Sequence, residues 1–110
     1  MLLKTMKFIS PKELKALIDS KTDFILIDTR EPEKYEACHI SGAVSMPQLQ
    51  LPSMLNKIDP KKKIIIYCIY GIKSEQVYIY LKDKLKIKDL SILEGGIYQY
   101  AMEIDQGMAV

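Results

Sequence analysis

Residues 64–76 have the sequence IIIYCIYGIKSEQ. The three isoleucines and the tyrosine form a bulky apolar run, which is typical of a strand buried on both faces of a parallel sheet. Cys68 follows this run, Gly71 interrupts the short loop after it, and a helical pattern begins near residue 73. This order predicts a thiol at the carboxyl end of a central strand, facing the N–H groups where the next helix begins. Those amides and the helix dipole favour an anionic sulfur.

Strand and helix patterns alternate on both sides of this stretch. The predicted strands are residues 8–9, 24–28, 43–47, 64–68 and 90–93. The predicted helices begin at a Ser10–Glu13 capping box, at 31, at 51, at 73 and after Gly95-Gly96. Strands that alternate with helices over short loops predict an α/β fold: a three-layer sandwich with a central, mostly parallel sheet of about five strands flanked by helices. Ligands in such folds bind beyond the carboxyl ends of strands, where Asp28 and Cys68 are both expected.

Length and composition are those of one ordinary globular domain. The chain has 110 residues, of which 48% are hydrophobic and 27% are charged. This length supports one hydrophobic core, so we expect a single domain over residues 1–110. The net charge of +2 is too small to indicate a nucleic-acid partner, and Lys61 to Lys63 are interpreted as a solvated turn.

Cysteine usage and hydropathy predict the compartment. Two cysteines do not make a disulfide scaffold, and they favour reduced thiols in the cytosol. Residues 1–8 contain two lysines and no long apolar stretch, so a secretory signal is not expected. No run approaches the roughly 20 apolar residues of a membrane span. The sequence therefore predicts a cytoplasmic protein without a membrane partner.

Two interpretations of Cys68 are open on its position alone. Free cysteine is among the most buried residue types, so Cys68 could be a small core hydrophobe. Its surroundings favour a nucleophile instead, because Gly71 permits a tight loop with inward amides and Lys73 adds a positive charge.

Three blocks of sequence together resemble a known family. They are DTREPEKYEACHISGAVSMP at 28–47, IIIYCIYGIKS at 64–74 and LEGGIYQY at 93–100. In this order, over residues 8–104, they resemble a single-domain rhodanese, a sulfurtransferase. The resemblance implies that Cys68 accepts a sulfane sulfur as a persulfide and passes it on, with no metal or organic cofactor.

The resemblance also implies a binding loop and two kinds of partner. The persulfide cradle would consist of the six residues after Cys68, namely Ile69, Tyr70, Gly71, Ile72, Lys73 and Ser74. Tyr70 is expected to shape the mouth of the pocket. The donor would be a small anion such as thiosulfate, or a protein persulfide. The acceptor would be cyanide, a thiol or a sulfur carrier, and no oligomeric state is predicted.

The chain departs from the family pattern at three positions. Lys73 stands where arginine is common, which keeps the charge but loses the bidentate fork that grips an oxyanion. Tyr100 replaces a usual tryptophan, a change interpreted as core packing. Cys38 replaces a common glycine. The stretches 35–39 and 103–105 are similar to the sulfur-donating domain fused to adenylating enzymes of molybdopterin and thiolation pathways. The resemblance includes no adenylating domain, so it implies that any such role would act in trans.

Four further residues are candidates for supporting roles. Asp28 and Arg30 are expected to form an ion pair or loop brace lining the wall of the site. The resemblance makes His39 structural, hydrogen-bonded beneath the loop that follows the second strand. Cys38 is either a structural thiol or a group that resolves the Cys68 persulfide as a disulfide. A metal site is not expected, because no paired metal-ligand spacing exists.

Two alternatives to sulfur transfer remain for the same architecture. A phosphatase or arsenate reductase would need a loop one residue longer, closed by an arginine that grips a tetrahedral oxyanion. That position holds Ser74, which argues against this function. The second alternative is a non-catalytic binding or redox-sensing module, which the retained Cys68 and Gly71 disfavour.

Overall fold

One five-stranded sheet forms the centre of the molecule, and every neighbouring pair of its strands is parallel. The computed structural model describes residues 6–110. The strands are β1 (Phe8–Ile9), β2 (Ile25–Asp28), β3 (Val44–Ser45), β4 (Ile64–Tyr67) and β5 (Leu90–Leu93). Their spatial order is β1-β5-β4-β2-β3. The predicted α/β class is confirmed, and β4 is the central strand as its isoleucine run indicated.

Helices connect the strands on both sides of the sheet. They are α1 (Pro11–Asp19), α2 (Pro32–Ala37), α3 (Ser74–Leu85) and α4 (Gly96–Glu103). The helix predicted over 51–58 is instead a pair of 3-10 helices, Gln48–Ser53 and Leu55–Lys57. The helical segment begins at Gln48, so Pro52 lies inside it rather than in its first turn, and because proline has no N–H it cannot donate the α-helical bond to the Gln48 carbonyl.

The first helix begins with the predicted capping box. The Ser10 hydroxyl accepts a hydrogen bond from the Glu13 N–H at 3.1 Å, and the Ser10 N–H donates to the Glu13 carboxylate at 2.8 Å. Backbone and side-chain hydrogen bonds from Ser10 lower the pKa of Glu13 below its usual value. The reciprocal bonds satisfy two amides that would lack a partner at the helix start.

The alternation of side chains along β4 divides the core into two layers. Ile64 and Ile66 face a cluster built with α3 and the 3-10 helices, whereas Ile65 and Tyr67 face a cluster built with α1 and α4. All four side chains are fully buried. The sheet is therefore covered on both faces, which is the three-layer arrangement expected from the sequence.

No helix within residues 6–110 is long and apolar enough to cross a membrane. The expectation that residues 1–8 carry no secretory signal rests partly on residues 1–5, which lie outside the described residues.

Candidate active site

The register of the sheet places Thr29 and Cys68 side by side. Asp28 is paired with Tyr67 in the parallel ladder of β2 and β4, and the next residue of each strand begins a loop at the carboxyl edge. The backbone N–H and the hydroxyl of Thr29 both donate to the Tyr67 carbonyl oxygen, each at 3.0 Å. These bonds fix the peptide group that joins Tyr67 to Cys68.

The loop after β4 folds back over the Cys68 thiol. The thiol is buried, with 3% of the residue exposed, and the Gly71 N–H donates to Sγ at 3.1 Å. Gly71 has a φ of +88°, a left-handed conformation that side chains disfavour. A Cβ at this position would lie 3.1 Å from the backbone nitrogen of Gly95. The sequence 68–74 thus forms a tight loop with a backbone donor at the sulfur.

The N-terminus of α4 holds the other side of this loop. The Ile97 N–H donates to the Cys68 carbonyl and the Tyr98 N–H donates to the Ile69 carbonyl, both at 3.0 Å. First-turn amides have no partner within their own helix, so they are available for this contact. Because C=O and N–H point in opposite directions across a trans peptide, the N–H groups of Ile69 and Tyr70 are turned away from α4.

Gly96 permits this close approach of helix and loop. A Cβ at Gly96 would lie 2.4 Å from the Ile69 carbonyl oxygen and 2.5 Å from the Cys68 carbonyl oxygen. The Gly95-Gly96 pair was predicted only as a turn, and the structure adds its contact with the loop that carries Cys68.

A buried ion pair joins Asp28 and Arg30, and of the two only Arg30 lines the cavity over Cys68. Arg30 Nη2 lies 2.7 Å from Asp28 Oδ2, and Arg30 Nε donates to Asp28 Oδ1 at 3.0 Å. Burial works against the charge of Arg30, but the Asp28 carboxylate outweighs it and raises the pKa of Arg30. Arg30 also donates to the Cys38 carbonyl, so the pair braces the chain after α2.

Cys38 and His39 do not line the cavity over Cys68. His39 is exposed, its Nδ1 is 2.8 Å from the Tyr35 carbonyl oxygen, and its ring stacks on the Tyr35 ring at 3.8 Å. His39 follows α2 by two residues and is bonded to the carbonyl of a residue inside that helix. The partly buried Cys38 side chain packs against the core layer of α1 and α4, and both cysteines are free thiols. In the described range 6–110, no three potential metal-ligating side chains cluster together.

A cavity of about 880 Å³ opens over Cys68. Ile69, Tyr70 and Lys73 line it together with Cys68. Gly71, Ile72 and Ser74 do not line this cavity. Ile72 extends outward, 72% exposed, whereas the buried Ser74 hydroxyl has no hydrogen-bond partner in the described part of the chain.

Several residues of the cavity wall were not predicted from the sequence. They include Thr29, Lys34, Gln48, Leu49, Gln76, Tyr98 and the segment 109–110. Thr29 directly follows a predicted buried strand, so its position at a strand end was a usable signal. The others carry no pattern in the sequence, and only the packing of separate segments brings them to the site.

One known protein family matches most of the chain. The model of the rhodanese-like domain family matches residues 10–103. The chain belongs to this family. Its similarity to Coxiella burnetii GlpE, a thiosulfate sulfurtransferase, is 32% identity over 76 residues, covering 69% of this chain and 70% of GlpE.

Larger relatives and solved structures extend the comparison. The chain is 31% identical over 96 residues to the adenylyltransferase and sulfurtransferase UBA4 of Vanderwaltozyma polyspora, covering 78% of this chain and 22% of UBA4. A rhodanese-like domain protein from Staphylococcus aureus superposes with a TM-score of 0.80 at 27% identity, over 96% of this chain and 98% of that one. The chain thus spans about a quarter of the length of the first curated relatives it matches, and matches single-domain structures almost end to end. GlpE and UBA4 are both named as sulfurtransferases, so sulfurtransferases are among the relatives of this chain.

Proposed function

We propose that this protein is a sulfurtransferase that carries a sulfane sulfur as a persulfide on Cys68. The observation that carries the proposal is the Gly71 N–H, 3.1 Å from a thiol at the floor of an open cavity. A backbone donor aimed at the sulfur stabilises negative charge on a thiolate and on the persulfide formed from it.

Loading is a nucleophilic displacement at sulfur. The Cys68 thiolate attacks the outer sulfur of thiosulfate, a new S–S bond forms, and the S–S bond to the sulfite group breaks. Sulfite leaves with the electron pair of that bond, so the step needs no external oxidant. Unloading is a second displacement of the same kind: cyanide, a thiolate or the thiolate of a sulfur carrier attacks the outer sulfur, and the Cys68 thiolate leaves with the electron pair of the broken S–S bond.

The charges around the cavity support an anionic donor. Arg30, Lys34 and Lys73 line it together with Glu31. Asp28 neutralises the charge of Arg30. The positive charges of Lys34 and Lys73 therefore outweigh the single negative charge of Glu31. Lys73 lies on the loop that carries Cys68 and directly precedes α3, which makes it the residue proposed to attract thiosulfate.

Intact-mass measurement tests the proposal. The reduced protein is incubated with thiosulfate, and we expect a gain of one sulfur atom that a thiol reductant removes. Cys68→Ser abolishes the adduct. Cys38→Ser is the matched control and retains it, because Cys38 does not line the cavity. Absence of an adduct with both thiosulfate and a cysteine persulfide would leave only the non-catalytic interpretation.

A further inference from the structure

A second groove adjoins the cavity above Cys68. It has a volume of about 350 Å³, and Leu51, Pro52, Val77 and Tyr80 form its apolar wall. We call it the side groove. Three residues line both spaces, namely Gln48, Leu49 and Gln76. The two spaces are therefore neighbours with a shared border, and a ligand longer than a small anion can occupy both.

The thiol cavity alone is much larger than the anion that loads it. An anion of five heavy atoms occupies roughly the volume of five water molecules, about 150 Å³. The cavity measures about 880 Å³, which is within the range of sites that hold whole organic ligands. Thiosulfate would leave most of this space filled with water.

The border between the two spaces is a pair of side-chain amides. Gln48 Nε2 donates to Gln76 Oε1 at 3.0 Å, which joins the first 3-10 helix to α3. Within residues 6–110, the other atom of each amide, Gln48 Oε1 and Gln76 Nε2, has no hydrogen-bond partner. One free acceptor beside one free donor matches the N–H and C=O of a peptide group.

Two apolar side chains that line the side groove are open to solvent. Leu49 is 95% exposed, and Tyr80 is only partly buried although it packs against the core layer of α3. A ligand side chain placed here would shield apolar surface on Leu49 and Tyr80, so the groove favours an apolar group over a polar one.

We propose that the side groove and the Gln48–Gln76 pair bind a polypeptide segment of a partner protein that presents a cysteine persulfide to Cys68. The backbone of the segment crosses the amide pair, and an apolar side chain near its cysteine occupies the side groove. This proposal rests on the sulfur-transfer function proposed above. The Cys68 thiolate attacks the outer sulfur of the partner's persulfide, and the partner's thiolate leaves and takes up the proton.

Synthetic donors test the subsite. The probes are persulfides of short peptides with leucine one, two or three residues from the cysteine, and matched peptides with glycine at each position. Glutathione persulfide and thiosulfate are further donors. We expect loading of Cys68 by the best leucine peptide to exceed loading by its glycine match by about tenfold in kcat/KM, the effect of burying most of a leucine.

Variants of the groove wall make the test specific. Tyr80→Ala removes one wall, so the leucine preference falls towards unity while loading from thiosulfate is unchanged. Ile79→Ala is the control, since Ile79 is 60% exposed on the same helix and does not line the groove. If Tyr80→Ala fails to fold, Leu49→Ser replaces it, and the same loss of leucine preference is expected.

The outcomes separate the two proposals. Equal loading by the leucine peptides, the glycine peptides and glutathione persulfide overturns the subsite and leaves sulfur transfer intact. A leucine preference that Tyr80→Ala and Leu49→Ser both retain also overturns it. Failure of every donor, thiosulfate included, overturns the proposed function itself.

Discussion

Individual glycines determine how closely the Cys68 loop packs on its neighbours. Gly71 brings its N–H to the sulfur, and Gly96 lets the N-terminus of α4 reach the carbonyls of the same loop. Both residues have positive φ, and at Gly96 an added Cβ would meet backbone oxygens that no rotamer change can move. Loop geometry is therefore coupled to helix position through backbone contacts.

Gly96→Ala is expected to lower both stability and loading. Left-handed strain and overlap with the Cys68 and Ile69 carbonyls together cost about 3 kcal/mol or more. Gly42→Ala is the matched control, because Gly42 has a φ of +85° but nothing lies within 4 Å of an added Cβ. It should cost only the strain, about 1 kcal/mol, and load normally. Urea unfolding and intact-mass kinetics measure both effects, and equal losses in the two variants would contradict the coupling.

Lys73→Ala is expected to slow loading from thiosulfate more than from an uncharged organic polysulfide. Removing one exposed charge near a divalent anion should reduce kcat/KM by about fivefold. Lys12→Ala, an exposed lysine on α1, is the control. Added salt should slow the parent protein towards the variant's rate. Equal slowing with both donors would show that Lys73 does not act through its charge.

At the scale of secondary-structure elements, the end of β2 and the start of α4 fix the first residues of the loop that carries Cys68. β2 ends at Asp28, and the N–H and hydroxyl of the next residue, Thr29, both donate to the last carbonyl of β4. α4 binds the next two carbonyls, those of Cys68 and Ile69. Three successive carbonyls are thus held by two other elements, so the loop's orientation does not depend on its own side chains.

Thr29→Val tests the strand contact. The change removes the hydroxyl donor and keeps a similar shape, so we expect a loss of about 1 kcal/mol in the free energy of unfolding and slower loading of Cys68. Thr29→Ser retains the donor and should stay close to the parent protein in both measurements. Slower loading in Thr29→Ser as well would indicate that the methyl group, rather than the hydrogen bond, matters.

The elements were predictable where local chemistry is strong. The isoleucine run of β4, the Ser10–Glu13 box and the glycine pair before α4 each have one physical interpretation. The segment 48–57 was harder, because its apolar spacing suits a helix while Pro52 blocks α-helical bonding. The border residues Gln48 and Gln76 carry no local signal, since 28 positions separate them and only folding brings them together.

At the scale of the whole molecule, the residue before Cys68 is buried in the centre of the sheet. Tyr67 precedes Cys68, is fully buried, and its hydroxyl accepts a hydrogen bond from the Ile40 N–H at 3.1 Å. Arg30 lies 5.9 Å from its ring centre. Burial, reinforced by the nearby Asp28 carboxylate, raises the pKa of Tyr67 far above its usual value of 10.0.

This shift predicts a loss of stability in alkaline solution. An unfolded tyrosine loses its proton near pH 10, whereas folded Tyr67 keeps it, so above this pH the folded state binds more protons. The free energy of unfolding should therefore fall by up to about 1.4 kcal/mol for each further pH unit through this residue. Urea titrations between pH 8 and pH 11 measure the slope.

Tyr67→Phe identifies the residue responsible. The variant loses the bond from Ile40 and is less stable at neutral pH, yet its stability should decline less steeply above pH 10 because residue 67 no longer has a hydroxyl that ionises in the unfolded chain. Tyr70→Phe, which removes the hydroxyl of a 57% exposed tyrosine, is the control and should keep the parent slope. If Tyr67→Phe declines as steeply as the parent protein, the alkaline loss arises elsewhere in the fold.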